Sequence, residues 1–145
     1  NGNNYIKIQN NQSLNLSNEL TIMAWVNPYI FKDHGTILTK DQSYYLQVHL
    51  DGSIAVYTYW NNNGIIGSSL YTYSEQKIIL NEWSHITYVE NKDGQRFIYI
   101  NGLLDKIDVA KSGIWVNNYD VFIGMQNGIT RPFNGKLKDI RIYNK

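Results

Sequence analysis

The chain has 145 residues, a formal net charge of +1, 43% hydrophobic residues and 17% charged ones. That length fits one domain, 1–145, and the apolar share supports a core, which excludes two ordinary domains and wholesale disorder. The near-neutral charge shows no basic stripe for nucleic acid, and the absence of cysteine removes disulfides, thiol nucleophiles and thiolate metal sites.

Composition also sets the fold class. There are 12 Tyr and 4 Trp against 4 Phe. Aromatic residues with a polar handle suit strands, and they suit surfaces that bind while staying soluble. Asn and Gly favour turns, whereas Ala, the best helix former, occurs only at Ala24, Ala55 and Ala110. An all-β protein is expected. No apolar run is long enough for a membrane-spanning helix, which needs about 18 residues or more. The chain opens at Asn1-Gly2-Asn3-Asn4, without Met, and is expected to be a module of a longer polypeptide.

In chain order, strands are expected over 5–8, 20–27, 35–40, 44–50, 53–60, 77–80, 83–90, 96–101, 103–108, 121–124 and 137–143. Asp51-Gly52, Asp93-Gly94 and Asn101-Gly102 mark turns between them. The loosest stretches are 61–69 and 110–120. Many short strands at this spacing predict an antiparallel sandwich or barrel.

One hairpin can be read in register. A three-residue loop with a left-handed Gly52 opposes Val48 to Ile54 and Leu46 to Val56. Those four then share an apolar inner face. Tyr45, Gln47, His49, Ala55, Tyr57 and Tyr59 fall on the other. A one-residue slip would exchange the faces, so burial selects this register.

Four segments then resemble a known family. Leu20-Thr21-Ile22-Met23-Ala24-Trp25-Val26-Asn27-Pro28 is similar to the early strand of laminin-G-like, concanavalin A-like jelly rolls. Asn81-Glu82-Trp83-Ser84-His85-Ile86 resembles their Trp–His strand. Phe97-Ile98-Tyr99-Ile100-Asn101-Gly102-Leu103-Leu104 resembles the following hairpin. The segment from Phe133 to Asn144 resembles the closing strand. The resemblance implies a two-sheet antiparallel β-sandwich. It leaves the ligand open, because the superfamily includes carbohydrate-binding, adhesion, toxin and hydrolase domains.

Hydrolysis of glycosides needs two flanking carboxylates. The four Glu, at 19, 75, 82 and 90, have no acid two residues away on the same strand face, and no G-x-S-x-G elbow occurs. A non-catalytic binding module is therefore expected, with a glycan or polysaccharide as partner. A protein–protein adhesion module and a structural spacer are the alternatives. Its setting would be extracellular, cell-surface or virion-associated.

A sugar site combines flat aromatic faces with planar polar groups. Tyr45, Gln47, His49, Tyr57 and Tyr59 have that chemistry, continued by Trp60 and by Asn62 of the Asn61-Asn62-Asn63 triplet. Trp115, in a polar loop, is a further candidate for ligand contact or for anchoring its loop. Trp25 and Trp83, in the family strands, are expected in the core. His85 is expected to be structural and His34 to lie in a loop. The resemblance also implies a structural calcium ion at a sandwich edge. Asp139 is the candidate ligand there, with the Asn3-Asn4 terminus nearby. Its charge requires a partner, whether a cation, Arg141 or backbone N–H groups.

Overall fold

A computed structural model describes residues 4–68 and 70–145. Twelve strands follow one another: β1 Ile6–Ile8, β2 Leu20–Pro28, β3 Gly35–Lys40, β4 Tyr44–Val48, β5 Ser53–Asn62, β6 Ile65–Ser68, β7 Thr72–Lys77, β8 Ser84–Glu90, β9 Gln95–Ile100, β10 Leu103–Val109, β11 Val121–Ile123 and β12 Gly135–Tyr143. One short 3-10 turn, Gln12–Leu14, precedes β2.

The strands form two antiparallel sheets. The seven-stranded sheet runs β1-β11-β3-β4-β5-β6, with β7 also paired to β5. The five-stranded sheet runs β10-β9-β8-β2-β12. Leu46, Val48, Ile54 and Val56 of the first sheet pack with Leu20, Ile22, Ala24, Val26, Ile86, Ile98 and Ile100 of the second. This is the sandwich expected of the alternating runs: each strand turns every second side chain into a shared apolar layer.

The β4–β5 hairpin has the register read from sequence. Val48 opposes Ile54 and Leu46 opposes Val56. Gly52 sits at φ 88°, and the His49 amide bonds the Ser53 carbonyl at 2.8 Å to close the loop. Burial of four apolar side chains outweighs any slipped alternative.

Other expectations change. The strand expected over 77–80 does not form: β7 ends at Lys77, Ile78 enters the core and Ile79 stays exposed. Two strands instead arise where a loop was expected or no strand was assigned. Asn63-Gly64, both at positive φ, turn β5 into β6, and β7 runs beside the start of β5. Trp25 and Trp83 are not core residues. Leu20, Ile22, Ala24 and Val26 take the inward positions of β2, so alternation turns Trp25 outward. Trp83 precedes β8 and is 38% exposed. His85, beside them, packs its ring against Trp25 with centroids 5.1 Å apart.

One charged pair of the five-stranded sheet anchors a polar network that crosses the sandwich. Glu90 of β8 and Arg96 of β9 are each 1% exposed, and Arg96 Nε bonds Glu90 Oε2 at 3.0 Å. Arg96 also donates to the Leu70 carbonyl at 3.0 Å and to the hydroxyls of Thr72 and Thr58 across the sandwich. The hydroxyls of Thr58 and Tyr88 donate to the Glu90 carboxylate. Burial of two opposite charges is tolerated because the network satisfies their hydrogen-bonding groups.

Candidate functional site

The outer face of the seven-stranded sheet carries a row of aromatic rings. Tyr57 meets Tyr45 at 5.8 Å, Tyr59 at 5.1 Å and Tyr71 at 4.7 Å between centroids. Tyr71 continues to Tyr73 at 5.7 Å, and Tyr73 to His49 at 5.2 Å. Strand alternation explains the row. Residues 55, 57 and 59 of β5 and residue 73 of β7 all point away from the core, with Ala55 opposite Tyr73.

A hairpin-like loop, 124–133, reaches over this face. Its Asn127-Gly128 turn has φ 46° and 71°, and the Gln126 amide bonds the Thr130 carbonyl at 2.9 Å. The loop is tied to the sandwich at its base. Thr36 N donates to the Arg131 carbonyl at 3.0 Å and Gly124 N donates to the Ile37 carbonyl at 3.1 Å, while Phe133 N donates to the Gly124 carbonyl at 2.8 Å and closes the loop's two ends on each other. Arg131 is thereby held over the rings, where its Nη1 donates to the Tyr71 hydroxyl at 3.1 Å. Tyr45, Tyr57, Tyr59, Tyr71, Gln126 and Arg131 line an open groove of about 300 Å³.

Beneath the groove, polar groups are fixed. The Tyr45 hydroxyl donates to Asp41, and Gln126 Nε2 bonds the same carboxylate at 3.2 Å. Burial, then the Asp41 bond, pushes the Tyr45 phenol up, so it remains a neutral donor. Burial raises Tyr59 likewise. Gln47 is fully buried; it donates to Thr36 Oγ1 at 3.2 Å and accepts from the Tyr71 hydroxyl at 3.4 Å.

One end of the groove is marked by two imidazoles. His34 stacks on Tyr71 at 5.2 Å and meets His49 edge-on at 4.6 Å. Burial lowers the His34 pKa; the Asp33 bond opposes this, and His49 and Arg131 add to it. His49 Nδ1 lies 3.0 Å from Asp51. Bonds from the Ser53 hydroxyl and amide, then from His49 and Lys77, hold the Asp51 carboxyl well below the usual carboxylate range.

The candidates from sequence thus separate. Tyr45, Tyr57 and Tyr59 come together in the groove. His49 stands at its end, and Gln47 lies under it and positions Tyr71. Trp115 lies across from Tyr59, its amide donating to the Tyr59 carbonyl at 2.7 Å while its own carbonyl accepts from Ser43. Trp60 does not join them. It is one residue beyond Tyr59 in an extended strand, so it takes the opposite face, where its indole lies over Gly67. Asn62 shares that parity and is exposed at the β5–β6 hairpin. Tyr71, Gln126 and Arg131 escaped the sequence reading. The Asn127-Gly128 turn and the alternation of Tyr71-Thr72-Tyr73-Ser74 were the signals available.

Asp139 lies elsewhere. Both its oxygens are engaged by Arg141, at 2.8 and 3.1 Å. Asn4 sits by Gly124, and Asn3 lies outside the described residues. No group of three or more His, Cys, Asp or Glu side chains comes together among the described residues. This donor set does not fit a calcium ion, which takes six to eight oxygens.

The fold and these faces define a lectin-like sandwich. The chain belongs to a laminin-G family of the concanavalin A-like lectin/glucanases superfamily, whose description matches residues 1–145. No curated protein is significantly similar to it. Among solved structures, a Bacteroides ovatus protein described as carbohydrate binding superposes with TM-score 0.77 at 21% identity, covering 97% of this chain and 41% of its own. Domain 4 of the extracellular arabinanase AbnA from Geobacillus stearothermophilus, in complex with arabinotriose, gives 0.69 at 23%, covering 99% and 68%. The CBM40 of the Ruminococcus gnavus IT-sialidase, bound to α2,3-sialyllactose, gives 0.70 at 12%, covering 98% and 91%. The chain therefore spans less than half of the Bacteroides chain. At these identities the likeness is one of fold. No helix among the described residues is long and apolar enough to cross a membrane.

Proposed function

We propose that the chain is a non-catalytic carbohydrate-binding module, and that its glycan lies in the tyrosine groove. The observation that carries this reading is the groove itself: four tyrosines walled by Gln126 and Arg131 in an open volume of about 300 Å³. Pyranose and furanose rings present C–H faces that stack on such rings. Their hydroxyls take hydrogen bonds from tyrosine O–H, amide and guanidinium groups held in fixed positions. The Arg131 guanidinium bonds Tyr71 through one nitrogen and has no carboxylate within salt-bridge distance among the described residues, which leaves donors for a ligand.

Catalysis receives no support from the acids. Glu90 is enclosed by Arg96, Thr58 and Tyr88, and Glu75 is exposed and paired with Lys106 at 2.9 Å. Hydrolysis needs an accessible carboxylate pair on either side of the scissile bond. An extracellular or surface setting follows from the proposed ligand.

A broad glycan array probed with the 145-residue chain tests the proposal. Binding to one glycan class is expected, and Tyr57→Ala and Arg131→Ala should each lose it. Binding unchanged in both variants would remove the groove from the account.

A further inference from the structure

The outer face of the five-stranded sheet has its own chemistry, separate from the groove. Every cation–π contact among the described residues lies along β12. Lys136 Nζ is 5.9 Å from the Tyr29 ring, and Lys145 Nζ is 5.4 Å from Tyr143. Lys138 Nζ serves two rings, at 4.4 Å from Trp83 and 5.4 Å from Trp25. Pairing of β12 with β2 puts Lys138 opposite Trp25 and Lys136 opposite Asn27, and pairing of β2 with β8 puts Trp25 opposite His85.

These residues form a row of flat rings and ammonium groups on the solvent side of the sheet. Neither Lys136 nor Lys138 has a carboxylate within salt-bridge distance among the described residues. The acids beside them in sequence form no ion pair with these lysines among the described residues: Asp139 is occupied by Arg141, and Glu82 makes no salt bridge. A lysine seated between two indoles is less hydrated than a free one. It therefore loses less on meeting an anion.

We propose that this row is a second binding surface, and that its ligand is an acidic polysaccharide. Charge complementarity argues for the anion. Trp83, 38% exposed, and the half-buried Trp25 argue for a sugar, because an indole offers a broad apolar face for C–H stacking. A phosphate polymer fits less well. The chain carries only +1 overall, and a nucleic-acid surface depends on many phosphate contacts. The surface lies on the sheet opposite the tyrosine groove, so the two sites can be lost independently.

Affinity electrophoresis through gels cast with polygalacturonate tests this at low salt. Neutral dextran and single-stranded oligothymidylate serve as the other arms. The parent chain should be retarded by polygalacturonate and pass freely through dextran. Trp83→Ala and Lys138→Gln should each weaken retardation about fivefold or more, the effect of losing one cation–π or stacking contact. Tyr57→Ala, on the opposite sheet, should be retarded like the parent at temperatures where it remains folded. Thermal melts separate loss of binding from loss of fold, and Lys138→Gln removes an exposed ammonium without opening the core. Absence of retardation would overturn the proposal. So would equal retardation of Lys138→Gln and the parent, or oligothymidylate binding as tight as polygalacturonate binding.

Discussion

Tyr71 lies against Tyr57 with ring centroids 4.7 Å apart, and its hydroxyl accepts a hydrogen bond from Arg131. Tyr71 thus joins the sheet that supplies the rings to the loop that supplies the guanidinium. Removal of either partner disturbs both sides of the groove.

Tyr57 is therefore more than a surface ring. Tyr57→Ala should cost about 1–2 kcal/mol of stability, because it contacts Tyr45, Tyr59 and Tyr71 at once. It should also cost about 1–3 kcal/mol of glycan affinity, taking base stacking on aromatic side chains as the scale. Urea melts and titration calorimetry read the two effects apart. A variant as stable as the parent would show that the ring cluster adds nothing to folding.

Trp60 should behave in the opposite way. A Cβ on Gly67 would fall 2.3 Å from Trp60 Nε1, so the indole fills the space above that glycine. Gly67→Ala should displace the ring and lower the melting temperature. Trp60→Ala should also lower it while leaving affinity for the groove ligand unchanged. Loss of glycan binding in Trp60→Ala with an intact fold would return this residue to the site.

The pH dependence follows from His34. Its folded pKa lies below the ordinary histidine value, chiefly through burial, and its Nε2 is enclosed without a hydrogen-bond partner among the described residues. The folded state therefore resists protonation more than the unfolded chain does. Above the unfolded value, about 6.5, the full stability is present. As pH falls through that value toward the folded pKa, the unfolded state binds the extra proton and stability declines. Asp33, His49, Arg131 and Tyr71 face the ring and set the local field. A chemical-denaturation series from pH 8 to pH 5 should show this decline, and His34→Gln should flatten it.

The Glu90–Arg96 pair should respond asymmetrically. Arg96→Met alone leaves a buried carboxylate without its cation and should cost about 3–5 kcal/mol. Replacing both residues by apolar ones should recover much of that loss, although the Tyr88 hydroxyl, which donates to Glu90, would need a new acceptor. A double-mutant cycle in urea measures the coupling. Additive losses would mean that the two charges do not act as a unit.

Asp139 and Arg141 form an exposed pair, which is worth about 0–1 kcal/mol. Asp139→Asn should change stability by no more than that, and melting curves with chelator or with added calcium should coincide. A calcium-dependent rise in melting temperature that disappears in Asp139→Asn would establish the ion.

Parts of this arrangement were legible in the sequence because burial admits one solution. Leu46, Val48, Ile54 and Val56 can all reach the core in a single register, and that register determines which tyrosines face outward. The same logic applied to β2. Leu20, Ile22, Ala24 and Val26 share one parity, which leaves Trp25 on the other face. Size and aromaticity misdirected the reading of Trp25 and Trp83, because large apolar rings are usually interior. Trp60 was misplaced by nearness along the chain, although adjacent strand residues point apart. For Arg131 the Asn127-Gly128 turn marks a loop but not the surface that the loop covers. Arg131 reaches Tyr71 only because a distant loop is tied to Thr36 and Ile37, and single-sequence patterns carry no information about such closure.

That loop separates two tasks within the molecule. The rings come from strands whose opposite side chains build the core, and they can change little without unsettling the sandwich. Gln126 and Arg131 come from 124–133, a loop anchored at its base by backbone hydrogen bonds that involve no side chain. Substitutions at 127–130, between those anchors, can reshape the polar wall of the groove while the strand-borne rings stay in place, whereas Arg131 itself remains coupled to Tyr71. Under the proposed function, a lineage bearing this domain could change the sugar it selects by editing one short segment, with the folding problem already solved elsewhere.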